Sequence, residues 1–185
     1  SVGKKVEVNL PYPMPSLNKI QYDEPKALER WVNRETDNGK SNYSASAKID
    51  GSSVVVVYKR GLLHTVITRG DGHRGKEVKH LLPGFTKLPA KLRRPVDLVL
   101  RCEVVLAEAV WKKKWSEAFD NPRNQVAGVL NRQDLHASLN DFDFVVLRNM
   151  TFDKPLSEGL GLVWALSPKF VFPLTVTLKA GRPIE

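Results

Sequence analysis

The sequence predicts an α+β fold with mainly antiparallel sheets and flanking helices. Three observations predict it. A β-branched run from Ser53 to Lys59 meets a turn at Arg60-Gly61 and returns as Leu63 to Arg69. A long apolar stretch, Val96 to Leu106, suits a buried strand. Helical periodicity then appears from Glu108 to Phe119 and around Leu156 to Ala165.

The elements follow in order. Residues 1–22 read as an extended lead-in, because Pro11, Pro13 and Pro15 forbid a helix there. Residues 23–185 read as one domain. Asp23 is placed to cap a helix with Pro25 in its first turn, Ala27, Leu28, Trp31 and Val32 as its apolar face, and Asn38-Gly39 as its end. Ser44 to Asp50 alternates as a strand. Gly70 to Gly75 is expected as a loop, and Glu77 to Leu82 as a short helix closed by Pro83-Gly84. A second helix is expected after Asn121-Pro122. Further strands are expected at Asp141 to Leu147 and Phe170 to Leu178.

Composition narrows the class. The chain has 185 residues with 42% hydrophobic content, enough for a real core. No apolar run reaches the length of a membrane span, and no signal-peptide pattern opens the sequence. The single cysteine, Cys102, excludes an internal disulfide, fits a reducing compartment and reads as a buried thiol. A formal charge of +9 favours an anionic partner such as nucleic acid or nucleotide phosphates. Lys112, Lys113 and Lys114 form the densest basic cluster. Trp111 and Trp115 lie four apart on one helix face, so they read as core-facing with the lysines solvated.

Four short segments carry the chemistry: Lys48-Ile49-Asp50-Gly51, Thr68-Arg69-Gly70-Asp71-Gly72 with Gly75, Arg101-Cys102-Glu103-Val104, and Asn121-Pro122-Arg123-Asn124 with Gly128. Lysine is a nucleophile only as the neutral amine, which desolvation or neighbouring cations favour, and Arg69 and Arg123 are candidate neighbours. Asp50 can orient that amine or help hold a divalent metal over a phosphate. Gly51 lets the backbone turn and leaves room for a ligand. Arg69 can hydrogen-bond sugar or phosphate, and Asp71 can order its loop. Glu103 lies in an apolar strand, where an unpaired carboxylate is costly, so it needs a partner: a ribose diol or Arg101. Helix capping accounts for Asn121 and Pro122 but not for Arg123. Each segment alone also has an ordinary structural account, as a strand end, a hairpin loop, an intrastrand ion pair or a helix cap.

In order and spacing, the four segments together resemble the nucleotidyltransferase domain of the NAD-dependent DNA ligases. Upstream, Pro13-Met14-Pro15-Ser16-Leu17-Asn18 is similar to the segment in which that family lines its nucleotide pocket with a Ser-Leu pair, here Ser16 and Leu17. The resemblance implies an ATP-grasp-like ligase core and places residues 23–185 as a partial nucleotidyltransferase domain. It implies that Lys48, with Asp50, takes AMP from NAD with Mg2+ present and releases nicotinamide mononucleotide. Arg69 and Glu103 would hold the ribose, converging with Lys48 on one pocket. Arg123 would face the AMP phosphate or that of the nick. AMP then passes to a DNA 5′-phosphate, and a 3′-hydroxyl displaces it to seal nicked double-stranded DNA in the cytoplasm of a bacterial or phage-infected cell. An ATP-dependent DNA or RNA ligase shares the lysine chemistry, and a non-catalytic basic nucleic-acid-binding subunit is the reading from another class.

Two positions depart from the family pattern: Ser46 stands where the family has Glu, and Asn131, with Arg132 beside it, where the family has a second Arg. The expected N-terminal domain that captures nicotinamide mononucleotide, the two later lysine motifs and the OB fold do not appear. The expectation is therefore part of a ligase (a fragment, one chain of a split enzyme or a divergent compact form), completed by a second chain or further domains.

Overall fold

The Arg60-Gly61 turn does close a hairpin, with both residues at positive φ (48° and 76°), the geometry of a tight two-residue turn. The computed structural model describes residues 6–16, 19–20, 23–24, 26–35, 43–152 and 154–178. In chain order it contains β1 (Glu7–Asn9), α1 (Ala27–Glu35), β2 (Tyr43–Ser46), β3 (Ser52–Lys59), β4 (Leu62–Thr68) and β5 (Arg74–Lys76). There follow β6 (Leu98–Val105), α2 (Glu108–Lys114), α3 (Pro122–Leu130), β7 (Asp143–Asn149), α4 (Leu156–Leu166) and β8 (Thr175–Leu178). Short 3-10 turns occupy Lys79–Gly84 and Ala137–Asp141. Every pairing between these strands is antiparallel. The α+β class is as expected.

Two compact units divide the chain: Ser1–Pro15 with Ile49–Pro173, and Ser16–Lys48 with Leu174–Glu185. In the first, a four-stranded sheet runs in the order β4-β3-β6-β7, and β1 pairs with β5. Alternation divides β6 cleanly. Leu98, Leu100, Cys102 and Val104 are buried, while Val99, Arg101, Glu103 and Val105 are half-buried. The apolar set joins Val54, Val56 and Tyr58 of β3, Phe144 and Val146 of β7, Val126, Val129 and Leu130 of α3, and Val163 and Leu166 of α4. Each such side chain contributes about 1.5–3 kcal/mol on burial. Tyr58 carries its hydroxyl into this core and donates it to the Pro89 carbonyl at 2.9 Å. Cys102 is fully buried, and burial pushes its thiol well above the ordinary range, so it is inert as expected.

The second unit contains the β2–β8 pair, registered from Tyr43 opposite Leu178 to Ser46 opposite Thr175, and α1. Glu29 in the first turn of α1 and Arg34 in its last complement the helix dipole. Pro25 and Asn38-Gly39, read as the ends of this helix, lie outside the described residues.

Several boundaries differ from expectation, each for a physical reason. The strand expected to reach Asp50 stops at Ser46, where its partner β8 begins. The strand expected from Phe170 starts only at Thr175, because Pro173 has no N–H to give a ladder; Val171 makes a single parallel bridge to Val145. The helix expected to continue to Phe119 ends at Lys114. Trp115 leaves helical geometry, and its indole donates to Asp141 at 3.0 Å. Trp111 and Trp115 are half-buried against the core, and the three lysines are exposed, as expected. The glycine loop is shorter than expected, since Arg74–Lys76 pairs with β1, a partner distant in sequence. The helix expected at Glu77 to Leu82 is a 3-10 turn shifted to Lys79–Gly84.

Candidate functional site

The polar half of β6 defines the site. Glu103 pairs with Ser53 of β3, and the Ser53 hydroxyl donates to the Glu103 carboxylate at 2.5 Å. Opposite Ser53, one step beyond β4, stands Arg69, whose backbone N–H donates to the Ser53 carbonyl at 2.9 Å. Directly opposed residues share a sheet face, so Arg69, Ser53 and Glu103 form one cross-strand row. The next row places Arg101 opposite Val55 and Arg148. Glu103 therefore finds its partner in a serine hydroxyl, which the sequence alone did not suggest.

Arg69 is half-buried and anchored. Its Nε donates to the Met14 carbonyl at 3.1 Å, and Met14 in turn donates its N–H to the Gly72 carbonyl at 2.8 Å. The segment around Met14 is thus stitched to the glycine loop, and Met14 is fully buried. Asp71 orders that loop as expected: one carboxylate oxygen accepts from the N–H groups of His73 at 2.8 Å and Arg74 at 2.7 Å. These two hydrogen bonds, the Arg74 one foremost, hold the exposed carboxyl below its usual range.

At the start of β3, Asp50 and Arg123 form an ion pair at 3.2 Å, with both side chains mostly exposed. Asn121 caps α3, its side-chain oxygen accepting from the Asn124 N–H at 2.8 Å, with Pro122 in the first turn. Arg123 is the second residue of α3, and from there its guanidinium reaches Asp50. Gly51 is glycine for a reason other than ligand access, because an added Cβ would lie 2.1 Å from the Val104 carbonyl oxygen. The room it leaves is filled by the β6 backbone.

The remaining expected residues are placed as follows. Lys48 is exposed and is the last residue of its segment in the second unit. Ser16 is exposed and also belongs to that unit, and Leu17 lies outside the described residues. Within the first unit Arg69 and Glu103 flank Ser53 in one cross-strand row, and Asp50 is paired with Arg123. Asn131, where a second arginine was anticipated, accepts from Lys76 Nζ at 2.8 Å and donates to the Ala127 carbonyl at 2.9 Å. Its neighbour Arg132 pairs with Asp134 at 2.7 Å. Among the described residues no group of three or more His, Cys, Asp or Glu is arranged to hold a metal, and no helix is long and apolar enough to cross a membrane.

Ser53, the Met14 carbonyl and Arg148 are the site features that sequence reasoning missed. Only strand register reveals the first and third, and the second is a backbone atom. Ser53, Glu103, Arg69 and Arg101 offer a hydroxyl, a carboxylate and guanidinium donors in adjacent cross-strand rows, a set suited to a sugar with its phosphate.

Antiparallel sheets with flanking helices are the architecture of a nucleotidyltransferase adenylation domain. Comparison with known proteins specifies it: residues 4–151 match the family described as NAD-dependent DNA ligase adenylation domain, and the chain belongs to that family. It is 37% identical over 131 residues to the DNA ligase of Borreliella burgdorferi, covering 69% of this chain and 20% of that protein. It is 35% identical over 131 residues to the DNA ligase of Borrelia garinii subsp. bavariensis, with coverage of 69% and 20%. DNA ligase 2 of Streptomyces coelicolor is 30% identical over 142 residues, with coverage of 71% and 20%. The chain therefore spans about a fifth of the length of these relatives.

Proposed function

We propose that this chain is the adenylation portion of a DNA ligase that forms lysyl-AMP from NAD and passes the AMP to the 5′-phosphate of a DNA nick. The Arg69–Ser53–Glu103 row carries the reading, because it sets a carboxylate and a guanidinium on one sheet face in a chain of this family. Lys48 is the AMP acceptor, on the strength of its place immediately before Ile49-Asp50-Gly51. Its neutral Nζ attacks the adenylyl phosphorus of NAD. A P–N bond forms, the P–O bond to nicotinamide mononucleotide breaks, and the amine gives up a proton. A DNA 5′-phosphate oxygen then attacks that phosphorus and frees the lysine. The 3′-hydroxyl finally attacks the DNA 5′-phosphorus, expelling AMP and closing the nick.

In this scheme Glu103 accepts from the ribose hydroxyls, with Ser53 and Arg69 fixing the carboxylate and the sugar edge. By the family resemblance Ser16 and Leu17 would line the nucleotide pocket, and Arg123, paired with Asp50, would face a phosphate. Magnesium ordinarily takes one or two carboxylates and draws its remaining ligands from substrate phosphates and water. Asp50 would supply a carboxylate of that kind, and the ion would supply charge neutralisation at the phosphate. The proteins that complete the reaction, and the cytoplasm of a bacterial or phage-infected cell as its setting, belong to the same proposal.

Intact-mass measurement tests it. The complete protein that carries this chain is incubated with magnesium and either NAD or ATP. One AMP adduct from NAD alone supports the proposal. An adduct from ATP alone transfers the reading to ATP-dependent ligases. Nicked-duplex binding with no adduct from either nucleotide favours a non-catalytic nucleic-acid-binding role, consistent with Ser46 and the engaged Asn131.

A further inference from the structure

We infer that Arg101 and Arg148 form a two-arginine clamp for a phosphate group, a site additional to the Asp50–Arg123 corner. The strand register points to it. β6 and β7 pair Glu103 with Val145 and Cys102 with Val146, so an unbroken ladder would set Leu147 opposite Arg101. The register instead shifts between Arg101 and Cys102, and Arg148 takes that place. A one-residue bulge thus exchanges an apolar cross-strand neighbour for a like charge, an arrangement that is destabilising without an anion between the two. Bulges recur where a strand re-aims a side chain beside a binding site.

Two further facts agree. Arg101 Nε is buried and has no hydrogen-bond partner among the described residues, although a buried donor ordinarily finds one. Burial, with Arg69 next and Arg148 adding to it, holds the Arg101 guanidinium below its ordinary value, and Glu103 only partly opposes them. Arg148 is exposed at the outer strand of the sheet order, so its guanidinium can reach a ligand. Opposed residues have Cβ atoms about 5 Å apart, which lets two planar forks grip one phosphate. Glu103 lies two residues from Arg101 along β6, so the clamp sits about 7 Å from the carboxylate row. The inference rests on the proposed reading of this face as the one that holds the nucleotide. The phosphate is either the second one of the dinucleotide or one from the DNA backbone.

An NMR titration tests the clamp. The Nε–H signals of Arg101 and Arg148 in the 185-residue chain are followed at fixed ionic strength against AMP, NAD and a nicked duplex. The expected result is a saturable shift of both signals. Arg148→Gln should weaken the responsible ligand about tenfold, the loss expected for one charged hydrogen bond, and Arg148→Lys should recover part of it. A loss confined to NAD, with AMP within twofold, assigns the phosphate to the dinucleotide. A loss confined to the duplex assigns it to DNA. If neither signal shifts saturably, or Arg148→Gln stays within twofold of the parent for all three ligands, the clamp is wrong and Arg148 is an edge-strand charge. An unchanged backbone amide spectrum for Arg148→Gln excludes misfolding as the cause. The AMP-acceptor reading of Lys48 fails on a separate measurement, an absent mass adduct, so either claim can fall without the other.

Discussion

Ser53 and Glu103 face each other across β3 and β6, and the serine hydroxyl donates directly to the carboxylate. A half-buried carboxylate in a largely apolar strand is thereby satisfied before any ligand arrives, and a carboxylate has a second oxygen able to accept further donors. Ser53→Ala is expected to cost about 1–2 kcal/mol of stability, as for a hydrogen bond to a charged group. Glu103→Gln, which keeps an acceptor for Ser53, should change stability by less than about 1 kcal/mol yet weaken nucleotide binding at least tenfold. Urea unfolding and calorimetric titration separate the two effects.

A second prediction concerns pH. Asp141 accepts from Lys114 at 2.8 Å and from Trp115 at 3.0 Å, and its carbonyl accepts from Lys87 at 2.9 Å. Burial pushes its carboxyl up, but the hydrogen bonds from Lys114 and Trp115 outweigh it and the net shift is downward. A carboxyl depressed in the folded state stabilises the fold fully above its unfolded value, about 3.9, and loses that contribution as pH falls through the folded value. Asp141→Asn should therefore cost about 1–2 kcal/mol at pH 7, with the gap to the parent closing below about pH 4. Urea unfolding at both pH values checks it, and a gap that persists in acid would mean that the carboxylate charge is not the source.

The glycine loop supplies a third. Gly72 has φ +97°, and an added Cβ would stand 2.8 Å from the Met14 carbonyl oxygen, in the segment that anchors Arg69. Gly72→Ala should cost about 1–3 kcal/mol through backbone strain and displace that segment. Gly161 in α4 has open space around it, so Gly161→Ala should instead stabilise by about 0.5–1 kcal/mol. Thermal unfolding of the two variants should shift in opposite directions.

These sites show what could be read from the sequence. The hairpin at Arg60-Gly61, the buried strand through Cys102 and the cap at Asn121 were legible because periodicity, turn chemistry and capping are local signals. The start of β5 was not, because Arg74–Lys76 becomes a strand only by pairing with Glu7–Asn9. The end of α2 at Lys114 answers to Trp115 reaching Asp141, again a distant contact. The same division holds for the site. Lys48, Asp50, Arg69, Glu103 and Arg123 stood out as motif residues, and the roles of the motif residues remain those of the proposal. Ser53 and Arg148 were invisible because they enter through register, and in the case of Arg148 through a bulge that no local pattern announces.

The central claim is that Lys48 accepts AMP. Its most direct test is transfer of labelled adenylate from NAD, with magnesium, to the complete protein that carries this chain, wild type and Lys48→Ala, with the labelled peptide located by mass spectrometry. One AMP on the peptide containing Lys48 is expected in the wild type and none in the variant. Label that persists in Lys48→Ala, or that maps to another lysine in the wild type, would contradict it.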